Sequence, residues 1–182
     1  KELKLLGSHN YQNILAALAV AKLQGWQLDK CLQVIKNFTG LEHRCQWIAE
    51  KQGVIYINDS KATNPAAACS SLLSMSEIYK GTIHIILGGS SKNAKFTELV
   101  DAIEKNEVSS YLIGEEGQTI YDALPSSVNK EICKDLPTAI KVISGKAQKG
   151  DVVLLSPACA SFDSYASFSA RGQHFIEEVQ LI

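Results

Sequence analysis

The 182-residue chain has a balanced charge, with 18 basic residues against 19 acidic residues and a formal net charge of −1 at pH 7. This weak field excludes nucleic acid and an acidic membrane surface as partners held by overall charge, so an anionic ligand has to be bound by locally placed cations. With 46% apolar residues, 20% charged residues and four prolines, the composition is that of an ordinary soluble globular protein, expected to be a monomer.

The five cysteines are odd in number and widely spread, and no two have the close spacing of a zinc ligand pair or a redox dithiol. We therefore expect reduced, mostly buried thiols, a cytoplasmic protein and no preformed metal site. The first residues do not have the pattern of a signal peptide, and no segment approaches eighteen consecutive apolar residues. Because the chain does not begin with Met, it is expected to be a piece of a longer protein.

Two helices are predicted at the start of the chain. Residues 10–24 place apolar side chains at helical spacing, and a shorter helix is predicted at 29–37. From Cys45 onward the apolar period changes to that of strands. This change predicts a domain boundary that separates a helical segment, residues 1–40, from a second domain, residues 41–182.

Strands and helices alternate through that second domain. Strands are predicted at 46–50, 54–57, 82–87, 111–113, 131–133 and 151–155, and helices at 64–76, 97–105, 118–124, 138–147 and 164–179. Alternation of this kind predicts an α/β fold, with a Rossmann-like, mainly parallel sheet, helices on both faces and right-handed crossovers. In such sheets ligands bind beyond the carboxyl ends of the strands.

Three polar loops, at 58–64, 88–92 and 156–161, follow predicted strands and would share one rim of the sheet. The second of them, Gly-Gly-Ser-Ser-Lys, lacks the third glycine of the dinucleotide fingerprint and the Gly-Lys-Ser/Thr ending of the P-loop. Its glycines are therefore interpreted as turn residues. Lys92 is the informative residue, because a point charge on such a loop can pair with a carboxylate.

The first of these loops begins a helix and also concentrates polar side chains. Asn64 suits the N-cap position and Pro65 suits the first helical position. Capping does not explain why Asp59, Lys61 and Thr63 are bunched at the carboxyl end of a strand. The residues alone leave both a solvated turn and a functional loop open.

Two further segments have alternative interpretations. In the last loop Ser161 lies close to the predicted start of the final helix, where anions are favoured, but Ser161 or Asp163 can also be a simple cap and Phe168 can be core. Asn10 and Asn13 lie three residues apart on one helical face, and their amides could bind an adenine edge. Capping is the alternative for Asn10.

Four motifs in this order resemble the Mur ligase family of bacterial cell-wall synthesis: GLEHR at 40–44, INDSKATN at 57–64, ILGGSSKNAKF at 86–96 and GDVVLLSPACASFDSYASFSARG at 150–172. HNYQN at 9–13 resembles the end of the family's central ATP-binding domain. The resemblance covers nearly the whole chain and is to the carboxy-terminal half of the family's proteins. SPACAS together with DSKATN points to the member that adds D-glutamate.

This resemblance implies an ATP-dependent amide synthesis with Mg²⁺. The terminal carboxylate of UDP-N-acetylmuramoyl-L-alanine would be phosphorylated, and the amine of D-glutamate would attack the acyl phosphate. Such chemistry depends mostly on positioning and on electrostatics around anions. The family's phosphate loop, metal-binding residues and uridine-binding domain are absent from these 182 residues. The chain alone is therefore expected to be inactive, with ATP and Mg²⁺ held mainly by other residues.

The resemblance also implies roles for residues at matching positions. The residues that would hold D-glutamate are Thr63, Lys92, Ser161 and Phe168. Lys92 would bind one carboxylate, and Lys61 would stand near the acyl phosphate, so these two lysines are the catalytic candidates. Arg171 matches a family position as well, with only a supporting role.

A second set would bind the nucleotide. Asn10 and Asn13 would reach adenine, and Asp59 would take the ribose. His43 and Arg44 would lie by the nucleotide phosphates, although a basic pair in a linker is usually solvated.

Two other functions are weighed against this one. The first is a stand-alone module that binds a small anion or a nucleotide without chemistry, which the missing phosphate loop favours for the chain as given. The second is an oxidoreductase on a dinucleotide-binding fold, which is disfavoured by the missing third glycine and by the lack of an acidic residue at the end of the next strand.

Overall fold

A six-stranded sheet forms the centre of the molecule in a computed structural model that describes residues 3, 5, 7, 9–91 and 93–182. Its strands are β1 (Gln46–Lys51), β2 (Val54–Asn58), β3 (Ile83–Gly88), β4 (Ser109–Ile113), β5 (Lys130–Ile132) and β6 (Val152–Leu155), in the spatial order β1-β2-β6-β3-β4-β5. β1 and β2 form an antiparallel hairpin, and the remaining neighbours pair in parallel. The predicted mainly parallel sheet is confirmed.

Helices cover both faces of this sheet. They are α3 (Pro65–Ile78), α4 (Thr97–Lys105), α5 (Gly117–Ala123), α6 (Leu136–Ser144) and α7 (Phe168–Gln180), and two further helices, α1 (His9–Leu23) and α2 (Leu28–Asn37), precede the sheet in the chain. Side chains alternate along each strand, so Ile85 of β3 packs with α3, α4 and α5, whereas Ile86 packs with α6 and α7. The prediction of helices on both faces is therefore confirmed.

The helix starts test the capping predictions. Asn64 caps α3 as predicted, because its side-chain oxygen accepts a hydrogen bond from the backbone N–H of Ala67 at 2.9 Å. The final helix, α7, begins four residues later than predicted, because Ser167 is its N-cap and accepts from the N–H of Ala170 at 3.1 Å. The alternative that made Ser161 or Asp163 a helix cap is wrong, and residues 161–167 form a loop.

The two N-terminal helices expose many apolar side chains. Leu15, Leu23 and Val34 are 65%, 85% and 70% exposed, and no residue of α2 is buried. Exposed apolar surface marks an interaction site where such side chains form a large patch. The boundary at residue 40 stays a prediction. None of the helices in the described part of the chain is long and apolar enough to cross a membrane.

The loop after β3 depends on two glycines in left-handed conformations. Gly88 has φ 122° and Gly89 has φ 131°. A Cβ atom on Gly88 would overlap the carbonyl oxygen of Ile113, and one on Gly89 would overlap the carbonyl oxygen of Ala160. Three backbone segments therefore meet here at a distance that only glycine allows.

Replacing Gly88 by Ala is expected to lower the free energy of unfolding by about 3 kcal/mol or more, because backbone strain and a clash with a carbonyl act together. Urea denaturation measures the change. Gly145→Ala is the matched control, since Gly145 has φ −80° and an added Cβ would meet nothing closer than 3.6 Å. The control should stay within about 1 kcal/mol of the unmodified protein. Equal stabilities for the two variants would contradict this account of the loop.

Candidate functional site

Three loops meet at the carboxyl edge of the sheet, because β2, β6 and β3 are adjacent strands. The side chain of Arg171, from the first turn of α7, lies buried among these loops with 1% of the residue's surface exposed. It hydrogen-bonds to all three, which confirms that the polar loops share one rim.

All five N–H groups of the Arg171 guanidinium have an acceptor. Nε donates to the Ser60 hydroxyl at 3.0 Å, and Nη2 donates to the carbonyls of Ser60 and Cys159, each at 3.0 Å. Nη1 donates to the carbonyls of Gly88 and Ala160 at 3.4 and 3.3 Å. Because a guanidinium has five donors, none is left for a ligand. Arg171 therefore holds the loops in place rather than binding a substrate itself.

The same arginine places a positive charge inside the site. Burial lowers the pKa of Arg171 to about 10, an effect that the negative charge of Asp163 partly opposes, so the side chain is still protonated at neutral pH. All five of its acceptors are uncharged oxygens. No ion pair between described residues includes this buried cation, so its charge makes the surrounding potential favourable for anions.

Asp59 joins three parts of the fold. It is 5% exposed, and its carboxylate accepts hydrogen bonds from the backbone N–H of Cys45 at 3.1 Å, from the Ser156 hydroxyl at 2.9 Å and from the Ser71 hydroxyl. These donors precede β1, follow β6 and belong to α3. A ribose hydroxyl would have to share these carboxylate oxygens, so the predicted ribose role of Asp59 stays a prediction.

His43 is fixed by its neighbours. Asn58 uses its amide oxygen to accept from the N–H of Ser60 and its amide nitrogen to donate to the carbonyl of Gly172, at 3.1 and 3.0 Å. The same nitrogen lies 3.1 Å from His43 Nδ1, which assigns Nδ1 as the acceptor and the ring proton to Nε2. His43 is buried, whereas the adjacent Arg44 is exposed. Of the pair predicted to lie by nucleotide phosphates, only Arg44 has an accessible side chain.

A cavity of about 410 Å³ opens between the N-terminal helices and the loop after β2. The predicted nucleotide residues that line it are Asn10, Asn13, Arg44 and Asp59, and Lys61 lies beside them. Its apolar walls include Ile14, Ala17, Ile35, Phe38 and Leu41. Asn13 donates to the side-chain oxygen of Asn10 at 3.3 Å. Apolar walls with a few convergent polar groups suit a planar heterocyclic ligand such as adenine.

Ligands for a magnesium ion were sought in the described part of the chain. Among the residues that the structure describes, no three His, Cys, Asp or Glu side chains cluster closely enough to hold a metal ion.

The residues predicted to hold D-glutamate are described in part. Lys92 lies outside the described residues. Ser161 is 2% exposed, and its hydroxyl has no hydrogen-bond partner among the residues described, while Thr63 and Phe168 are half-buried. A buried hydroxyl without a partner is destabilising unless a ligand satisfies it. Ser161 is therefore placed as a ligand-binding group would be, one residue after Ala160, which Arg171 fixes.

Lys61 lies where the two predicted sets meet. It lines the cavity of the nucleotide residues, and its Nζ lies 4.0 Å from the centroid of the Phe168 ring. Its backbone N–H donates to the carbonyl of His43 at 3.0 Å. Among the ion pairs between described residues, none includes Lys61. The ammonium is therefore available to an anion.

The scaffold around this site was largely missed from the sequence. Arg171 was given only a supporting role, and the buried side chains of Asn58, Ser60, Ser71 and Ser156 were given none. One signal was present: Arg44 and Arg171 are the only two arginines among 18 basic residues. Because the chain otherwise uses lysine, an arginine suggests a position that needs the five planar N–H donors of a guanidinium, which lysine does not offer.

A second polar cluster lies at the opposite, amino edge of the sheet. His84 Nε2 lies 3.2 Å from an oxygen of Asp151, and its Nδ1 lies 3.2 Å from the Tyr111 hydroxyl. Burial opposes ionisation of Asp151, but hydrogen bonds from the Gln148 N–H, from His84 and from the Thr82 N–H outweigh it and lower the pKa of this carboxyl. His84 is thus packed between two polar partners, and it connects three neighbouring parallel strands.

Comparison with known proteins gives one matching family and relatives of similar sequence. Residues 43–159 match the family described as "Mur ligase, glutamate ligase domain". The chain is 41% identical over 182 residues to the UDP-N-acetylmuramoylalanine–D-glutamate ligase of Hahella chejuensis, and 41% identical over 180 residues to that of Pseudomonas fluorescens Pf-5. These matches cover 100% and 99% of this chain but only 41% and 40% of the relatives. The chain thus spans about two fifths of their length.

Solved structures share the fold at lower sequence identity. MurC, the UDP-N-acetylmuramate-alanine ligase of Thermotoga maritima, aligns with TM-score 0.75 and 22% identity, over 98% of this chain and 39% of that one. MurF of the same organism, in complex with ADP, aligns with TM-score 0.71 and 20% identity, over 96% and 39%. At such identities the likeness shows the fold alone.

Arg171→Lys is expected to lower the free energy of unfolding by about 3 kcal/mol, because an ammonium cannot reach all five acceptors and each buried acceptor left without a donor costs roughly 1 to 3 kcal/mol. Chemical denaturation measures the loss. Arg44→Lys is the matched control, since Arg44 is exposed, and it should change stability by less than about 0.5 kcal/mol. A loss of similar size in both variants would remove Arg171 as the organiser of the three loops.

Proposed function

Because the chain belongs to the Mur ligase family through its glutamate ligase domain, we propose that it is the carboxy-terminal part of the family's D-glutamate-adding ligase. The whole protein would join D-glutamate to UDP-N-acetylmuramoyl-L-alanine in an ATP-dependent reaction of peptidoglycan synthesis. The names of the relatives support the choice of D-glutamate. One observation carries the proposal: Lys61 lines the nucleotide cavity and also touches Phe168 of the D-glutamate set.

The cavity would bind the adenosine end of ATP. Asn10 and Asn13 present amides to the adenine edge, the apolar walls contact its faces, and Asp59 lies at the ribose. Arg44 is the exposed cation for the nucleotide phosphates, with His43 fixed behind it. ATP supplies the phosphoryl group that activates the acceptor carboxylate. The phosphates and Mg²⁺ are proposed to be held mainly by residues outside this chain.

D-glutamate would be bound at the rim of the sheet beside this cavity. Lys92 pairs with one carboxylate, and the Ser161 hydroxyl donates to the other, with Thr63 and Phe168 completing the pocket. Each charge-assisted hydrogen bond contributes roughly 1.5 to 3 kcal/mol. The buried charge of Arg171 adds a favourable potential for a dianion, although its own donors are all used.

Lys61 would act on the reacting atoms. When the amine of D-glutamate attacks the acyl phosphate, negative charge grows on the tetrahedral intermediate and on the departing phosphate. A preorganised ammonium at this point stabilises that charge more than it stabilises the ground state. Lys61 is suited to this because no described carboxylate neutralises it.

The same proposal gives the two parts of the chain their roles. Residues 1–40 are proposed to be a helical part of the central ATP-binding domain, and 41–182 the carboxy-terminal domain. The exposed apolar side chains of α1 and α2 support this division, as does the family match, which begins at residue 43. A cytoplasmic location is part of the proposal and is supported by five free cysteines. The monomeric state stays a prediction.

Ser161→Ala should weaken binding of D-glutamate at least tenfold, because it removes a hydrogen bond to a charged group. Isothermal titration with D-glutamate, and with L-glutamate as the reference, measures this. The same variant should not lose stability, because it removes a buried hydroxyl that has no partner among the described residues. Ser169→Ala, on the exposed face of α7, is the control and should bind like the unmodified protein. Unchanged D-glutamate affinity in Ser161→Ala would contradict the assigned pocket.

Lys92→Ala should abolish most D-glutamate-dependent phosphate release in the longer ligase, since the substrate dianion then loses its main counter-charge. A coupled phosphate assay measures turnover, and near-normal turnover would overturn the assignment of Lys92.

A reading frame that continues upstream into a Gly-Lys-Thr/Ser loop favours the enzyme over a stand-alone binding module. Nucleotide binding without any D-glutamate-dependent turnover in that longer protein would favour the module.

A further inference from the structure

An aromatic ring, rather than a carboxylate, holds Lys61. Its Nζ lies 4.0 Å from the centroid of the Phe168 ring, and no described ion pair includes it. A ring face attracts a cation through its quadrupole and leaves the positive charge intact. A carboxylate in the same place would cancel the charge and compete with an incoming anion for it.

Other lysines of the molecule show what a purely structural contact looks like. Lys130 lies 4.4 Å from the ring centroid of Tyr121, but its ammonium also donates to the carbonyls of Tyr121 and Leu124. Lys146 is paired with the carboxylate of Glu131. Lys61 has neither kind of partner among the described residues. Its N–H donors are therefore open, which distinguishes it from these two lysines.

The ring and the lysine are tied together through their backbones. Phe168 is the first residue of α7, and its carbonyl accepts a hydrogen bond from the Ser60 hydroxyl at 2.8 Å. That hydroxyl in turn accepts from Nε of Arg171 at 3.0 Å. Because Ser60 directly precedes Lys61, this chain of hydrogen bonds sets the start of α7 beside the lysine.

A contact with His43, which precedes β1, also fixes the Phe168 ring. The His43 ring meets the Phe168 ring edge-on, with centroids 6.3 Å apart and planes at 79°. The carbonyl of His43 also accepts the backbone N–H of Lys61 at 3.0 Å. The lysine and the aromatic ring therefore share the same rigid neighbour, which Asn58 orients.

From these contacts we infer that Phe168 is a positioning residue that acts on the reaction through Lys61. The inference rests on the proposed function, in which Lys61 stands at the acyl phosphate. The ring keeps the ammonium in place with its charge and its donors intact, so the lysine does not have to leave an ion pair before it stabilises the developing charge. This role is separate from the contact with D-glutamate that is expected for the same side chain.

Kinetics of the longer ligase test the role directly. Phe168→Leu keeps an apolar side chain but removes the ring face, so kcat should fall roughly fivefold to thirtyfold, with KM for ATP unchanged. Phe168→Tyr keeps the ring, so kcat should stay within about twofold of the value for the unmodified ligase. Phe162→Leu is the matched control, because Phe162 is 76% exposed in the same loop region and should leave kcat unchanged. A rise in KM for D-glutamate with normal kcat in Phe168→Leu would overturn the inference.

A double-mutant comparison separates action through Lys61 from an independent effect. Lys61→Met should lower kcat strongly, and adding Phe168→Leu to it should cause no further fall. If the fold-decrease in kcat of the double variant equals the product of the two single decreases, Phe168 acts without Lys61. Replacing Phe168 by phenylalanines with two and then three ring fluorines preserves the shape and weakens the ring face. The logarithm of kcat should then fall stepwise with fluorine number, and an unchanged kcat would overturn the inference even if Phe168→Leu fails to fold.

The contact itself has a spectroscopic signature that does not depend on catalysis. In the 182-residue chain, the ε-methylene protons of Lys61 should be shifted upfield by the ring current of Phe168, and Phe168→Leu should return them to ordinary values. Unshifted protons in the unmodified chain would overturn the inference.

If the unmodified ligase releases no phosphate with D-glutamate, the proposed function fails. If it is active but Phe168→Leu behaves like Phe162→Leu, only the positioning role fails.

Discussion

One buried guanidinium organises the carboxyl edge of the sheet. The loops after β2, β3 and β6 all direct backbone carbonyls toward the same point, and carbonyl oxygens that converge without donors would be desolvated at a high cost. Arg171 supplies five donors in one rigid plane and satisfies all three loops at once. The same charge favours anions at the rim. Scaffold and electrostatics therefore come from a single residue whose own donors are all used by the protein.

Hydrogen bonding divides the polar residues of the rim into two groups. Asn58, Asp59 and Ser60 are buried and have protein partners, so they maintain the backbone of the site. The Ser161 hydroxyl and the Lys61 ammonium have no hydrogen-bond or ion-pair partner among the described residues. Within one short loop, Ser60 has protein partners for its hydroxyl, whereas the ammonium of the next residue, Lys61, has no ion-pair partner among the described residues. Burial alone does not separate them, because Ser161 is as buried as Arg171.

The sequence predicted local features better than the features that depend on distant residues. Apolar runs located the buried strands, and the cap formed by Asn64 involves only neighbouring residues. The start of α7 was misplaced because Ser161, Asp163 and Ser167 are all good caps, and distant loops that bind Arg171 decide among them. The role of Arg171 was underestimated for a similar reason, since its acceptors are mostly backbone carbonyls, which leave no signature in a sequence. The predicted ligand contacts of the site residues stay predictions.

The walls of the 410 Å³ cavity come from two separate parts of the chain, α1 and α2 on one side and the loop after β2 on the other. A molecule that touches both walls binds only when the two parts are together, so occupancy and helix docking are thermodynamically linked. At a ligand concentration one hundred times Kd, this linkage adds about 2.7 kcal/mol to the docked arrangement. A ligand in the cavity would therefore stabilise the docked position of α1 and α2, two helices that expose many apolar side chains.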